Sequence, residues 1–383
     1  MTTTARTLLS FVACSLALGR AARAGALEPA PAPAPAVAAA EATPAVPAAA
    51  PAPKTLSFGV GVRIGGGLDS STGTITSGDR LGIKSLDVRP YISGQVHPLL
   101  KFEGNLDLNN ADQSRIHVLS AVAKFEPDDL FNVWFGRFLP PSDRANLSGP
   151  YYQNAWNYPT DVNGYPSIYA GRADGGAVWG QLEKGRFKYQ GGVFTLDANT
   201  PTSQALYAAR LVLNLLDPEP GYYNSSTYYG TKDVLALGGA AQYQKLGAAT
   251  VIGTDAAGAP ILARNDLIAF NLDLLFEKRL AWADTLTVEG AYYNFNRGAQ
   301  GWSWYALASY LFAAKVAFGQ VQPMVRWQQF TPTAGGDPIR TLDTGFNYVI
   351  DGHSTRIAFA VQNRNPPTAP STTSYQLGIQ IQE

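Results

Sequence analysis

Leu100-Lys101-Phe102-Glu103-Gly104-Asn105-Leu106-Asp107-Leu108-Asn109 alternates without a break. Leu100, Phe102, Gly104, Leu106 and Leu108 fall on one parity, and Lys101, Glu103, Asn105, Asp107 and Asn109 on the other. Successive side chains of an extended chain point to opposite faces, so one face of this strand is apolar and the other polar or charged. The stretch from Leu86 to Val96 repeats the pattern, setting Leu86, Val88, Pro90, Ile92 and Val96 against Asp87, Arg89, Tyr91, Ser93 and Gln95. A small soluble barrel fills its inside with apolar side chains. Here the polar face is too charged for a dry interior and the apolar face too regular for a solvated exterior. The pattern predicts an inverted barrel, lipid outside and water within; a globular β-sandwich is the soluble competitor.

Working outward, the same period predicts sixteen strands, near 55–66, 85–96, 99–109, 115–126, 131–139, 170–182, 186–196, 204–216, 232–245, 265–277, 285–296, 303–312, 320–331, 340–351, 354–365 and 372–382. Segments of about ten residues suit a tilted membrane-spanning strand, and no run reaches the roughly 18 apolar residues of a spanning helix. Connections alternate in length. Val96-His97-Pro98, Glu126 to Leu130, Leu182 to Gly185 and Asp351 to Ser354 are tight, whereas 67–84, 140–169 and 246–264 are long. Short turns on one side and long loops on the other are the pattern of bacterial outer-membrane barrels. The stretch 217–231, DPEPGYYNSSTYYGT, breaks the rule by being long on the short side. It is either an elaborate periplasmic turn or a misplaced strand. Trp134, Trp179, Tyr189, Tyr207, Tyr243, Tyr292, Trp327, Tyr348 and Tyr375 sit near strand ends, mostly on the apolar parity, and are expected to form aromatic belts at the bilayer surfaces.

The chain has 383 residues, of which 15% are charged, with 38 Gly and 19 Tyr. Lys plus Arg and Asp plus Glu both number 29, so no charge bias points to nucleic acid. Residues 1–24 read as a signal peptide: Arg6, an apolar run from Leu8 to Leu18, and Ala22-Arg23-Ala24 as cleavage site. A lipoprotein signal ending at Cys14, the one cysteine, is the weaker alternative. Cleavage leaves a net charge of −3 and no thiol. Residues 25–54, rich in Ala and Pro, read as a disordered tether. Its roles are a spacer or a cell-wall contact. The barrel domain occupies 55–383.

Inside the barrel, the polar parity is expected to place Arg63, Arg89, Lys101, Lys124, Arg137, Arg172, Lys188, Arg210, Arg326, Arg356 and Arg364 against Asp87, Glu103, Asp107, Asp174, Asp273, Glu277, Glu289 and Asp343. Phe131-Asn132-Val133-Trp134-Phe135-Gly136-Arg137-Phe138-Leu139-Pro140-Pro141 then leads into the long loop that joins the fifth and sixth strands. Long ordered loops of this kind are mostly functional, and a third external loop is well placed to fold inward and narrow the lumen. Tyr151, Tyr152, Asn154, Trp156 and Tyr158 are its candidate constriction residues, since rings at this density are costly in water. Arg137 and Arg144 are the leading anion contacts, because a guanidinium grips carboxylate or phosphate bidentately. Arg89, Lys101, Lys124, Arg172, Arg326 and Arg356 complete the set. His97, His117 and His353 show no metal or Ser-His spacing, and Gly59-Val60-Gly61 with Gly65-Gly66-Gly67 lacks the helix a nucleotide loop requires. No cofactor, metal or enzymatic activity is implied.

FGRFLPPSDRANLSGPYY (135–152), LDPEPGYYNSSTYYG (216–230) and LDTGFNYVIDGHSTRIAFAVQ (342–362) resemble the Gram-negative porin family typified by the phosphate-selective porins O and P. The resemblance spans about residues 55–383. It implies a sixteen-stranded, homotrimeric outer-membrane channel with an inward third loop, passing small hydrophilic solutes. Acids nearly as numerous as bases depart from the phosphate-selective pattern, and Glu383 stands where such barrels present an aromatic. The expected function is passive diffusion with a mild anion preference, phosphate among the candidates. The alternative is a non-conducting barrel acting as structural anchor or adhesin.

Overall fold

The computed structural model describes residues 55–70, 79–109, 116–159, 171–195, 204–255, 258–295, 301–333 and 335–383. The expected signal peptide and tether, and the far part of the long loop at 160–170, lie outside them.

Alternation of period two becomes one antiparallel sheet that closes on itself. Sixteen long strands follow one another around the ladder, and β1 (Thr55–Ser70) pairs with β17 (Thr372–Gln382) to complete it. Between them run β2 (Arg80–His97), β3 (Leu100–Asn109), β4 (Ile116–Phe125), β5 (Asn132–Phe138), β6 (Ala173–Leu182), β7 (Phe187–Phe194), β8 (Leu206–Asn214), β9 (Val234–Thr254) and β10 (Pro260–Arg279). β11 (Thr285–Phe295), β12 (Gly301–Leu311), β14 (Gly319–Pro332), β15 (Ile339–Asp351) and β16 (Thr355–Asn365) complete the wall. The two-residue β13 (Lys315–Val316) only tightens the turn before β14. Closure removes every free edge, which is the condition for spanning a bilayer with strands. Among the described residues, no helix is long and apolar enough to cross a membrane.

Outward residues are apolar and exposed: Phe58 and Ile64 on β1, Phe135 on β5, Leu211 on β8, Ile268 and Leu272 on β10, Leu377 and Ile381 on β17. Inward residues of β3 are Lys101, Glu103, Asn105 and Asp107, matching the alternation of that strand.

Three expectations need correction. The loop expected at 246–264 is two long strands, β9 and β10, joined over 255–259. Its small and polar residues stand in sheet, where hydrogen bonding along the ladder outweighs weak propensity. Trp134 and Trp179 do not belong to an outer belt; they are 3% and 6% exposed and face inward. Tyr207, Tyr243, Tyr292 and Trp327 do face outward. Lastly, Arg137 shares the outward parity of Phe135, because Trp134 and Phe138 take the inner one. Its guanidinium pairs bidentately with Asp174 on the outer face, at 2.6 and 2.8 Å, so neither residue lines the lumen.

Candidate functional site

The β5–β6 connection does enter the lumen. It leaves β5 through Leu139-Pro140-Pro141, where proline ends the ladder for want of an N–H. Asp143 then caps a five-residue helix, α1 (Arg144–Ser148), accepting from the Asn146 amide at 3.4 Å, and Gly149 ends it at φ 68°. Burial raises the Asp143 carboxyl to about 6, against the pull of a 2.6 Å hydrogen bond from the Tyr293 hydroxyl.

Beyond α1 the loop lies against the wall formed by β14 to β17 and β1. Two glycines make that possible. A Cβ on Gly61 would stand 2.7 Å from the Tyr151 ring, and one on Gly378 2.3 Å from Trp156. Tyr151 sits between two guanidinium groups, Arg63 at 5.8 Å and Arg89 at 5.5 Å from its centroid, and Arg63 covers Trp156 at 4.1 Å. The loop's main-chain carbonyls then accept from the wall. Arg63 donates to Trp156 at 2.7 Å, Arg356 to Gln153 and Asn154 at 2.5 and 3.2 Å, and Arg326 to Asn157 and Tyr158 at 2.8 and 3.3 Å. The Asn154 amide donates to Ser309 at 2.7 Å.

A second segment enters from the opposite end. The connection 215–233 between β8 and β9, the stretch that broke the length rule, is an elaborate turn folded into the lumen. Tyr222 stacks on Trp134 with centroids 4.6 Å apart and packs edge-on against Phe138 and Trp179. This apolar cluster, which takes in Leu139 and Leu147 of the long loop, explains the inward tryptophans. Further along, the Ser226 hydroxyl donates to Glu289 at 3.1 Å, and the Tyr228 and Gly230 amides donate to Glu277 at 3.0 and 2.8 Å.

The two segments lock together at Arg144. This guanidinium is fully buried and donates to both carboxylate oxygens of Glu219 at 2.7 Å and to the Ser225 carbonyl at 2.7 Å. Burial alone would raise the Glu219 carboxyl; Arg144 outweighs it and holds the group down at about 2. Asp273, which accepts the Arg144 main-chain amide at 3.2 Å, is itself gripped by Arg210. His353 lies between the segments, one ring nitrogen 3.2 Å from the Tyr151 carbonyl and the other 2.9 Å from that of Thr227; the neutral ring donates to one of the two, and its burial between them packs the segments together. Burial and Arg356 push its pKa down to about 4 despite those two acceptors.

Of the basic residues expected to contact anions, then, Arg144, Arg326 and Arg356 hold backbone and carboxylates, and Arg137 is outside. Lys101 pairs with Glu126 at 2.7 Å and Lys124 with Glu103 at 2.6 Å. Arg89 and Arg172 line a cavity of about 710 Å³ that remains between the long loop, the 215–233 segment and β1 to β4. The inward turn segment, with Glu219, Tyr222, Tyr223 and Tyr228, was not among the candidates, although its excess length and four tyrosines marked it.

No family model and no curated protein matches this chain. Solved structures do. A loop L8 deletion mutant of OmpT, an outer membrane protein of Vibrio cholerae, superposes with a TM-score of 0.57 at 12% identity, over 86% of this chain and 99% of that one. The anion-selective porin from Comamonas acidovorans gives 0.55 at 11%, over 86% and 100%. Salmonella typhi OmpF in complex with daunomycin gives 0.52 at 12%, over 86% and 97%. At such identities the likeness is one of fold. Together with the closed ladder and apolar exterior, it makes this chain a β-barrel of the outer membrane.

Proposed function

We propose that the barrel is a porin, a passive channel for small hydrophilic solutes with weak charge selectivity and a mild preference for anions. The observation that carries this reading is the cavity of about 710 Å³ left beside two inserted segments, in a lumen whose wall is polar and charged. Sixteen strands enclose a lumen wide enough for water, where eight close on their own side chains. A loop that narrows such a lumen without filling it makes a size filter. The anion preference rests on Arg89 and Arg172, which face the cavity. Arg137 and Arg144 no longer support it, so the bias is small, and phosphate is one candidate among several small anions. The solved anion-selective porin supports it only through shared fold. Assembly as a homotrimer belongs to the same proposal; a solved OmpT of Vibrio cholerae is described as a trimer form.

One observation favours a second reading. The buried cluster around Trp134 and the Arg144–Glu219 pair pack inside the barrel, as suits a non-conducting anchor or adhesin whose tether contacts the cell wall. Purified protein added to a planar bilayer separates the two. Discrete current steps, with a small reversal potential of anion sign in a salt gradient, support the porin. Absence of steps at confirmed insertion supports the anchor, and a clear cation preference refutes the anion bias.

A further inference from the structure

The channel reading above leaves the solute class open, and the cavity narrows it. Five tyrosines, Tyr91, Tyr151, Tyr152, Tyr223 and Tyr228, line the cavity; Tyr151 is buried between Arg63 and Arg89, and the other four are still a high density of rings for a wall that selects ions by fixed charge alone. Tyr152 is 44% exposed although it lies within the barrel. The Tyr151 hydroxyl is buried with no hydrogen-bond partner among the described residues.

Charge in the same space is largely engaged. Of the three basic residues that line it, Arg89 holds Asp107 at 2.9 Å, Arg172 donates to the Ser120 hydroxyl at 3.3 Å, and Lys232 donates to the Pro218 carbonyl at 3.2 Å while lying 5.1 Å from the Tyr228 centroid; Lys124, outside the lining, holds Glu103 at 2.6 Å. A site for a bare anion would present cations to the space rather than to carboxylates and carbonyls. What this cavity presents besides is rings beside the amides of Asn105, Asn224 and Gln382 and the carboxylate of Glu103; Asn105 donates to Glu103 and Asn224 to the Arg144 carbonyl, but each amide keeps its oxygen and a second N–H, and Glu103 keeps lone pairs beyond those that Asn105 and Lys124 occupy. That combination has a chemical match. A pyranose offers C–H faces that lie flat on an aromatic ring, and a rim of hydroxyls that donate to carboxylates and exchange hydrogen bonds with amides. The volume lies within the range of small-molecule sites.

We propose that the cavity is a binding site for a neutral polyhydroxylated solute, a mono- or oligosaccharide, which dwells on the tyrosine faces while crossing the barrel. Tyr152 is the principal platform and Tyr223 the second. Binding is weak, since a solute that enters must also leave.

The test uses the full-length protein in a detergent without a sugar headgroup, titrated by calorimetry with sucrose, maltotriose and raffinose, and then the same sugars added to the bilayer current. Saturable heat, and a saturable fall in current that polyethylene glycol of equal size does not reproduce, are expected. Tyr152→Ala should weaken binding about three- to tenfold, and Tyr152→Phe should keep it within about twofold. Circular dichroism confirms that each variant is a folded barrel. Binding without any conductance would refute the channel reading while upholding the site. Conductance with no saturable binding of any of the three sugars overturns the site, as does unchanged affinity in Tyr152→Ala. Tighter competition by inorganic phosphate than by sugar overturns it too, in favour of an anion site.

Discussion

Replacing Arg144 by Met isolates the lock between the two inserted segments. The guanidinium leaves behind Glu219, which is 1% exposed and keeps the Tyr228 hydroxyl at 2.6 Å and the more distant charge of buried Lys188. Three donor contacts vanish, two to that carboxylate and one to the Ser225 carbonyl. Breaking a buried ion pair by deleting one partner costs about 3–5 kcal/mol, most of it the penalty of the stranded charge. The β ladder does not pass through this pair, so the cost falls on docking of the long loop against the 215–233 segment. At about 1.4 kcal/mol per decade, the undocked population rises by two to three and a half decades, a factor of about 10² to 4 × 10³. Single-channel recording should show a wider and noisier open state, with barrel circular dichroism unchanged. The double variant Arg144→Met with Glu219→Leu removes both charges at once and should recover most of the quiet state, because an apolar pair of similar volume is often as stable as the ion pair. The coupling energy of that cycle is the quantity to read. If Arg144→Met records like the wild type, or if the double variant is no quieter than the single, the pair is not a lock and the reasoning fails.

Gly378→Val would place a branched side chain where even a Cβ lies 2.3 Å from Trp156; overpacking of about 1–3 kcal/mol should unseat the ring and raise conductance, whereas a silent variant would show that Trp156 does not set the width. Arg137→Ala should leave the reversal potential unchanged and alter stability by less than about 1 kcal/mol, since an exposed outer-face pair contributes little; a shifted potential would return Arg137 to the lumen. His353 should act through pH. The fold holds it neutral, so its contribution is complete above its ordinary value of 6.5 and is lost as pH falls through about 4. Wild-type current noise should therefore rise as pH falls from about 6.5 to about 4 and level off below that, and His353→Asn should lack that rise; a rise that persists in the variant assigns the pH effect elsewhere.

How legible the molecule is varies along the chain. β3 is readable from Leu100 to Asn109 because each parity carries one kind of side chain, and lipid on one side with water on the other permits no alternative. β5 is not, since Trp134 and Phe138 on one parity and Phe135 on the other are all aromatic. Which set faces in is decided by Tyr222, about ninety residues away in sequence, and period alone contains no such information. Arg137 was misplaced for the same reason, and Asp174 with it. The residues 246–264 were misread because Ala, Gly and Thr carry little periodicity beyond the bilayer, where both faces of a strand meet water. The insertion of the long loop was legible in its proline, glycine and ring content. The job of the arginines was not, because a guanidinium suited to an anion suits a backbone carbonyl equally well. Arg326 and Arg356 hold the loop through such carbonyls.

The central claim is that a barrel already entered by the 215–233 segment is narrowed further, and not sealed, by its third loop. Deleting Ala145 to Pro159 while keeping Arg144 and the Glu219 segment, and comparing single-channel conductance with that of the full chain, tests it most directly. The account predicts measurable steps in both and a clearly larger conductance in the deletion. Equal conductance from two correctly folded barrels would contradict it.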